Sequence, residues 1–279
     1  MLNTNSEPHL GILLSGLVVG SALGATINVP ADYASLQAAI DAAQSGDEIV
    51  VAAGQHEAGV TISKAITVRS ESGADVTTLL GSGNGPVIIL EESESNGGGT
   101  LNGFTITNGA GVNGGGLFLA GDEAVVDCTV TNNQALSGGG AFVVGNPVLS
   151  QVRFFRNDAE FGGGVFYAPD AGAILDFCDF FGNSAGAGGA LYISPRGSLT
   201  TYATIGAGTF ENNEAEDGGA IYAFMSGLDI VDASFARNYA SGRGGSIYHS
   251  DGEFSTVSSA SIRDGDAAEG GAVYLDGTG

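Results

Sequence analysis

A five-residue pattern returns seven times in this chain and restricts what it can become. It begins as Gly114-Gly115-Gly116-Leu117-Phe118 and recurs from Gly138, Gly162, Gly188, Gly218, Gly244 and Gly270. The consensus is Gly-Gly, a small residue, an aliphatic residue (Ala141 once), then Phe or Tyr. Successive starts lie 24, 24, 26, 30, 26 and 26 residues apart. A second pattern precedes each copy: an apolar residue, two variable residues, then Asn or Gly. Phe154–Asn157, Phe180–Asn183, Phe210–Asn213 and Phe235–Asn238 show it most clearly, and Val130–Asn133, Ile106–Gly109 and Ile262–Gly265 are degenerate members. Two patterns held in one phase over seven copies specify a repeat protein in which neighbouring units bury each other's apolar faces.

The period, together with strands separated by Gly, Asn and Asp, predicts an all-β solenoid with three-faced coils of about 24–30 residues. Leu191–Ser194 and Leu228–Phe235 read as strands. A leucine-rich repeat needs regularly spaced Leu and Asn, which are absent. Forty-eight glycines without a three-residue period exclude collagen, and apolar residues at fixed repeat positions exclude Gly-rich disorder. In this arrangement the Asn column forms a stacked amide ladder and the Phe154, Phe180, Phe210, Phe235 column stacks in the core. The fourth and sixth positions of the Gly-Gly strand are mainly aliphatic. Pointing them inward puts Phe118, Phe142, Phe166, Tyr192, Tyr222, Tyr248 and Tyr274 outside. The opposite phase puts the aromatics in the core, and the two differ by one residue of register.

Residues 1–25 contain an apolar run, Leu10 to Leu23, followed by small residues. It is short for a membrane span and suits a cleavable secretory leader, although no Lys or Arg precedes it; a membrane tether is the alternative. Residues 26–279 read as one domain with no later membrane span. Thr26–Val29 is a strand stopped by Pro30. A helix follows, capped by Asp32 or Ser35 and running to about Gln44, with Leu36, Ala39, Ile40 and Ala43 on one face. From Gly46 onward the chain reads as turns and strands. Glu91–Gly99 is a polar loop. The sequence ends at Gly279 without a visible cap, which predicts a longer protein of which this is the front part.

The segment Val29–Ser70, "VPADYASLQAAIDAAQSGDEIVVAAGQHEAGVTISKAITVRS", resembles the opening of the pectin-lyase-like right-handed parallel β-helix families. In those families such a segment supplies an amphipathic helix that covers the first coil. The resemblance implies a single-stranded right-handed parallel β-helix with an N-terminal amphipathic capping helix. The repeats "FFGNSAGAGGALY", "FENNEAEDGGAIY" and "FARNYASGRGGSIY" are similar to those of the polymorphic outer-membrane protein family. That resemblance covers about Gly103–Tyr274 and implies an autotransporter passenger with an adhesive role at the cell surface or outer membrane. Two departures stand out: no C-terminal β-barrel is present, and the third motif position is Gly in the first three copies.

Thirty-one acids against eight basic residues give a formal charge of −23. Such a chain repels phosphate backbones, which argues against a nucleic-acid partner. Cys128 and Cys178 occupy one column two coils apart, roughly 9.6 Å at the strand spacing. A disulfide needs less than about 7 Å, so two free buried thiols are expected. No His or Cys spacing suits zinc. The acids between Asn and Gly-Gly (Asp158, Glu160, Glu211, Glu214, Glu216, Asp217, Asp266, Glu269) read as solvated turn charges rather than a Ca²⁺ site, so no metal or other cofactor is expected. "DFFGNSA", Asp179–Ala185, is similar to a pectin methylesterase motif and marks Asp179 as a nucleophile candidate. Phe180 and Asn183, however, are already repeat columns, and Arg153 and Arg156 lie one coil away. Tyr192, Tyr222, Tyr248 and Tyr274 are the candidate ligand-binding residues, because flat aromatic faces suit sugar rings.

The functional expectation is a secreted or cell-surface, non-enzymatic adhesion or binding scaffold. Its partners would be polysaccharide, or a glycan or protein of a host or neighbouring cell. The alternative is a carbohydrate-active enzyme, pectate lyase-like or pectin esterase-like, acting on acidic polysaccharide. A structural surface-layer element of a saline habitat is a third reading.

Overall fold

The computed structural model describes residues 24–92, 97–193, 201–252 and 256–277. The expected leader lies outside these residues, except for its last two positions. So does the middle of the expected polar loop.

The chain winds into a right-handed type of parallel β-solenoid of about nine turns. Each Gly-Gly strand pairs in register with the next, Leu117 with Ala141 and then Val165, Leu191, Ile221, Ile247 and Val273. These seven strands, with Ile88–Leu90 and Val60–Ile62 before them, form a nine-stranded aromatic sheet. A ten-stranded sheet carries Leu101, Val125, Leu149, Leu175, Ile205 and Ile230 inward, and a nine-stranded phenylalanine sheet carries Phe154, Phe180, Phe210 and Phe235. All ten of these side chains are buried.

The coil is not simply three-faced. Where the sequence reads as a turn between Asn and Gly-Gly, a six-stranded short sheet runs, from Ala110–Asn113 to Tyr239–Ala240. Its polar composition hides it, because one face meets water while the other lies along the aromatic column. Likewise Leu228–Phe235 is not one strand. It divides into Gly227–Val231 and Ser234–Ala236 at a corner where Asp232 takes φ 58°.

Left-handed residues turn the corners. Gly occupies one such column at every repeat, with φ between 64° and 73°. The next glycine is needed for a different reason. A Cβ on Gly163 would stand 2.4 Å from the Ser184 carbonyl oxygen and 2.5 Å from that of Gly189, so two coils approach through it. A second left-handed column precedes each Asn (Asn132, Arg156, Gly182, Asn212, Arg237). A third contains Gly103, Asp127, Gln151, Phe177, Ala207 and Asp232, so glycine stands at only one of these six corners.

The Asn ladder is complete from Asn133 through Asn157, Asn183 and Asn213 to Asn238. Each Nδ2 donates to the next Oδ1 at 3.0–3.1 Å. The same Nδ2 groups donate to the carbonyls of Ile106, Val130, Phe154, Phe180 and Phe210 at 2.9–3.1 Å. Each of these Oδ1 atoms also accepts the backbone N–H of the coil before it. The central amides therefore use all four hydrogen-bonding positions while fully buried. Beside them Phe154, Phe180, Phe210 and Phe235 stack at 4.6–4.9 Å.

At the N-terminal end, the helix spans Leu36–Ala42, capped by Ser35 and shorter than its apolar pattern suggests. Leu36, Ala39 and Ile40 are buried, and the helix packs against Thr26–Val29, Glu48–Val51 and Val60–Ile62. Lys64, the only lysine, donates its Nζ to the carbonyls of Ile40, Asp41 and Ala43 at 2.7–2.9 Å. It thereby satisfies the otherwise unpaired C-terminal carbonyls of the helix and opposes its dipole. Cys128 and Cys178 are free and buried, and burial pushes each thiol up to about 12.

From Leu101 onward, most of the variation in coil length falls at one corner. From the ten-stranded sheet to the phenylalanine sheet the first coils take 7 residues (Ile49 to His56) and 11 (Val68 to Leu79), and the spacing is constant only afterwards: Val125 to Val130, Leu149 to Phe154, Leu175 to Phe180, Ile205 to Phe210. From the aromatic residue to the ten-stranded sheet it is not. Phe118 to Val125 spans 7 residues, Phe166 to Leu175 spans 9, and Tyr192 to Ile205 spans 13.

Removing one rung of the Asn ladder strands buried groups on both sides. Asn183→Ala leaves the Asn157 N–H, the Asn157 Nδ2 and the Phe154 carbonyl without their partner. At roughly 1–3 kcal/mol for each stranded group, partly relieved by relaxation, the expected loss is about 3 kcal/mol or more. Asn84→Ala, in an exposed turn, should change stability by less than about 0.5 kcal/mol. Urea denaturation followed by circular dichroism distinguishes the two.

Candidate functional site

The aliphatic positions of the Gly-Gly strand face the core, so the aromatic column lies on the opposite side of its sheet. From Phe118 to Tyr274 its rings stack at 4.7–5.6 Å, with planes within 10°. The column is not an open stripe, because the short sheet lies against it. Phe161 tilts onto Tyr192 at 5.2 Å. The Arg243 guanidinium carbon stands 4.6 Å from the Tyr248 ring centre and 5.5 Å from that of Tyr274. Tyr248 is consequently buried, while Tyr192, Tyr222 and Tyr274 are half-buried. Burial first, then the neighbouring Tyr192, Tyr248 and Asp217, pushes the Tyr222 hydroxyl up to about 12.

A more open arrangement occupies the outer face of the phenylalanine sheet. There, two adjoining hollows of about 420 and 660 Å³ share Thr129, Arg153 and Asp179. The register that stacks Phe154 on Phe180 inside sets Arg153 beside Asp179, and Phe155 beside Phe181, outside. The Phe155 and Phe181 rings lie 5.4 Å apart, tilted by 33°. Arg156 covers Phe155 at 4.6 Å. Phe177, at its left-handed corner, is 60% exposed and lines the second hollow. A bulky exposed residue in that conformation costs about 1–2 kcal/mol relative to glycine.

The ionic groups of this face are engaged with neighbours. Arg153 donates to Thr129 Oγ1 at 3.1 Å and pairs with Asp75 at 3.7 Å. Thr209 donates its hydroxyl to Asp179, and Arg237 pairs with Glu211. Desolvation raises the Asp179 carboxyl above its usual range, outweighing the hydrogen bond from the Thr209 backbone N–H and the attraction of Arg153. Asp179 and Glu211, from successive coils, line the same hollow as Arg153. Of seven arginines in the chain, Arg153, Arg156, Arg237 and Arg263 are exposed on or beside this sheet.

Sequence reading singled out Asp179, Arg153 and Arg156 but missed Phe155, Phe181 and Phe177. The first two were legible: in Phe154-Phe155 and Phe180-Phe181, alternation sends the second ring outward once the first is placed inside. Phe177 carries no such signal, because its corner column accepts any residue type. His249 lies at the expected inward position of the aromatic strand but is half-buried, and His56 meets the Ala52 carbonyl through Nε2 at 2.8 Å. Among the described residues, no group of three or more His, Cys, Asp or Glu is placed to hold a metal ion.

Residues 208–223 match the family model of the Chlamydia polymorphic membrane protein repeat. Among solved structures, a pectin methylesterase from Aspergillus niger superposes with a TM-score of 0.51 at 15% identity, covering 93% of this chain and 86% of that one. Geobacillus virus E2 ORF18 aligns at 14% identity and a TM-score of 0.45, over 91% of this chain and 61% of that one. No curated protein sequence matches the chain. The fold is thus the parallel β-helix shared with pectin methylesterases, and the repeat resemblance holds over Gly208–Ala223.

Asp179 provides a pH test with a definite sign. Its folded pKa is raised, so the native state holds the proton more tightly than the unfolded chain does. Stability on this account falls as pH rises from the ordinary carboxylate range through the raised value. Asp179→Asn should therefore raise the melting temperature at pH 7, and the gain should disappear below about pH 3.5. Melting curves of both proteins across that range check it.

Proposed function

We infer that the chain is a secreted or cell-surface β-solenoid whose task is binding and display, and that the face around Arg153, Phe155, Phe177 and Phe181 is its ligand-binding face. One observation carries this reading. In a chain with thirty-one acids and eight basic residues, four arginines and three outward phenylalanines gather on one side. Flat aromatic rings suit the apolar faces of sugars, and a guanidinium pairs with carboxylates through two parallel hydrogen bonds. The ligand class is therefore an anionic glycan with carboxylate-bearing sugars, laid along the solenoid axis. Tyr192 and Tyr222, which are half-buried, lie on a neighbouring face outside this glycan contact, and Arg243 covers Tyr248 and Tyr274 there. The repeat match at 208–223 supports a surface location, since its family is named for a membrane protein. The N-terminal helix serves in this reading as the cover of the first coil, protecting an apolar end exposed to solvent.

A second reading is favoured by the meeting of Asp179 and Glu211 with Arg153 in one hollow. Two carboxylates from successive coils beside a basic group are what carboxylate-based ester or glycan chemistry requires. The Aspergillus niger neighbour is, by name, a pectin methylesterase. Binding is preferred because the hollows are open, and each of these three ionic groups already has a protein partner. Strong electrostatic catalysis depends on preorganised groups shielded from water.

Titration calorimetry with oligogalacturonate and with a neutral oligosaccharide of equal length tests both readings. The acidic ligand should bind more tightly, weaken as salt is added, and lose about tenfold or more in affinity with Arg153→Ala or Phe181→Ala, an effect of roughly 1.4 kcal/mol. Equal affinity for both sugars would remove the arginines from the argument. Release of methanol from methyl-esterified galacturonan that stops in Asp179→Asn would replace the binding reading with the enzymatic one.

A further inference from the structure

The short sheet covers the aromatic column with one residue per coil. In order these are Asn113, Ser137, Phe161, Ala187, Asp217, Arg243 and Glu269. Two of them occupy the ring faces: Phe161 over Tyr192, and Arg243 over Tyr248 and Tyr274. Between them stands Ala187, next to Gly186. The cover there shrinks to a methyl group, and a hollow of about 290 Å³ opens onto Tyr192 and Tyr222. Its rim carries Glu160 and Glu216, both exposed and without an ion-pair partner among the described residues.

The occupant of the neighbouring position shows what chemistry this surface holds. Arg243 lies over Tyr248 and Tyr274 while its Nη2 and Nε donate to the two Asp217 oxygens at 2.7 and 3.2 Å. Stacked tyrosine faces attract the cation and a carboxylate beside them receives its N–H groups. Asp217 is thereby committed to Arg243. At the Ala187 opening two stacked tyrosine rings 4.9 Å apart recur without a cation, and Glu160 and Glu216 line the same hollow.

The geometry points to a docking site at Ala187 for an arginine side chain of a basic protein segment, seated over Tyr192 and Tyr222 between Glu160 and Glu216 as Arg243 is seated over Tyr248 beside Asp217. The partner is peptidic because Arg243, the side chain that occupies the equivalent site, is itself a peptide arginine. The charge of −23 draws such a segment to the surface from a distance. This site is separate from the arginine-bearing face assigned to glycan, and the two select ligands of opposite charge.

The probe is a blocked peptide with two arginines separated by glycine, compared by titration calorimetry with the same peptide carrying citrulline, which keeps the shape and loses the charge. The arginine peptide should bind and the citrulline peptide should bind at least about tenfold more weakly. Two variants locate the site. Glu160→Gln with Glu216→Gln removes exposed charges only and should weaken binding about tenfold. Ala187→Arg supplies the missing guanidinium from within and should abolish binding, with circular dichroism confirming the fold of each variant. Absence of binding by the arginine peptide, equal affinity for citrulline, or unchanged affinity in the folded glutamine variant would each overturn the proposal. None of these outcomes bears on oligogalacturonate binding, so the two sites fail or stand separately.

Discussion

A solenoid of short parallel strands holds together only if every coil starts at the same place as the one before it. Strands of three or four residues supply too few hydrogen bonds to fix that register unaided, and a slip of one position would turn every core side chain to solvent. The buried Asn column removes the ambiguity. Each amide bonds simultaneously to the amide of the next coil and to the backbone of the previous one, so a displaced coil would strand several buried polar groups at once. The Phe stack beside it tolerates small shifts, since ring contacts vary smoothly with distance; the amides do not. Everything placed on the outer faces inherits its spacing from that ladder.

That inheritance explains how one fold presents two unlike surfaces. Along the phenylalanine sheet, an inward Phe fixes an outward Phe two or three atoms away along the backbone, so Phe155 and Phe181 are paired outside because Phe154 and Phe180 are paired inside. Along the aromatic sheet, the rings themselves are regular and the short sheet decides which are reachable. Substitutions of one residue in the cover, from Phe161 through Ala187 to Arg243, change the local chemistry without altering the path of the chain.

Much of this was legible in the sequence, and the limits are physical. The Asn, Phe and aliphatic columns recur at fixed spacing because the core tolerates few alternatives, and repetition exposes them. The direction of the aromatic column was left open by the sequence, because the two phases differ by one residue of register. The short sheet escaped notice because Gln134–Ser137 and Asp158–Phe161 are mostly polar or small, and their pairing depends on neighbours 24 residues away rather than on their own composition. The corner at Asp232 escaped because a left-handed Asp, Gln or Phe resembles any other residue in a list of letters. The covering of Tyr248 by Arg243 depends on a side chain reaching between coils, which periodicity does not encode. The same holds for Lys64 and the carbonyls of Ile40, Asp41 and Ala43.

The constant and variable corners have a further meaning. From Leu101 onward the other edges of this prism vary by at most one residue, while one edge accepts between seven and thirteen residues from the aromatic ring to the next strand. Growth of the molecule is thus divided into two independent operations. Adding a coil lengthens both outer faces by one step and leaves their chemistry in phase. Adding residues at the permissive edge raises a ridge along one side and leaves both faces untouched. A lineage built on this plan can vary reach and decoration separately, and neither change has to be repaired by the other.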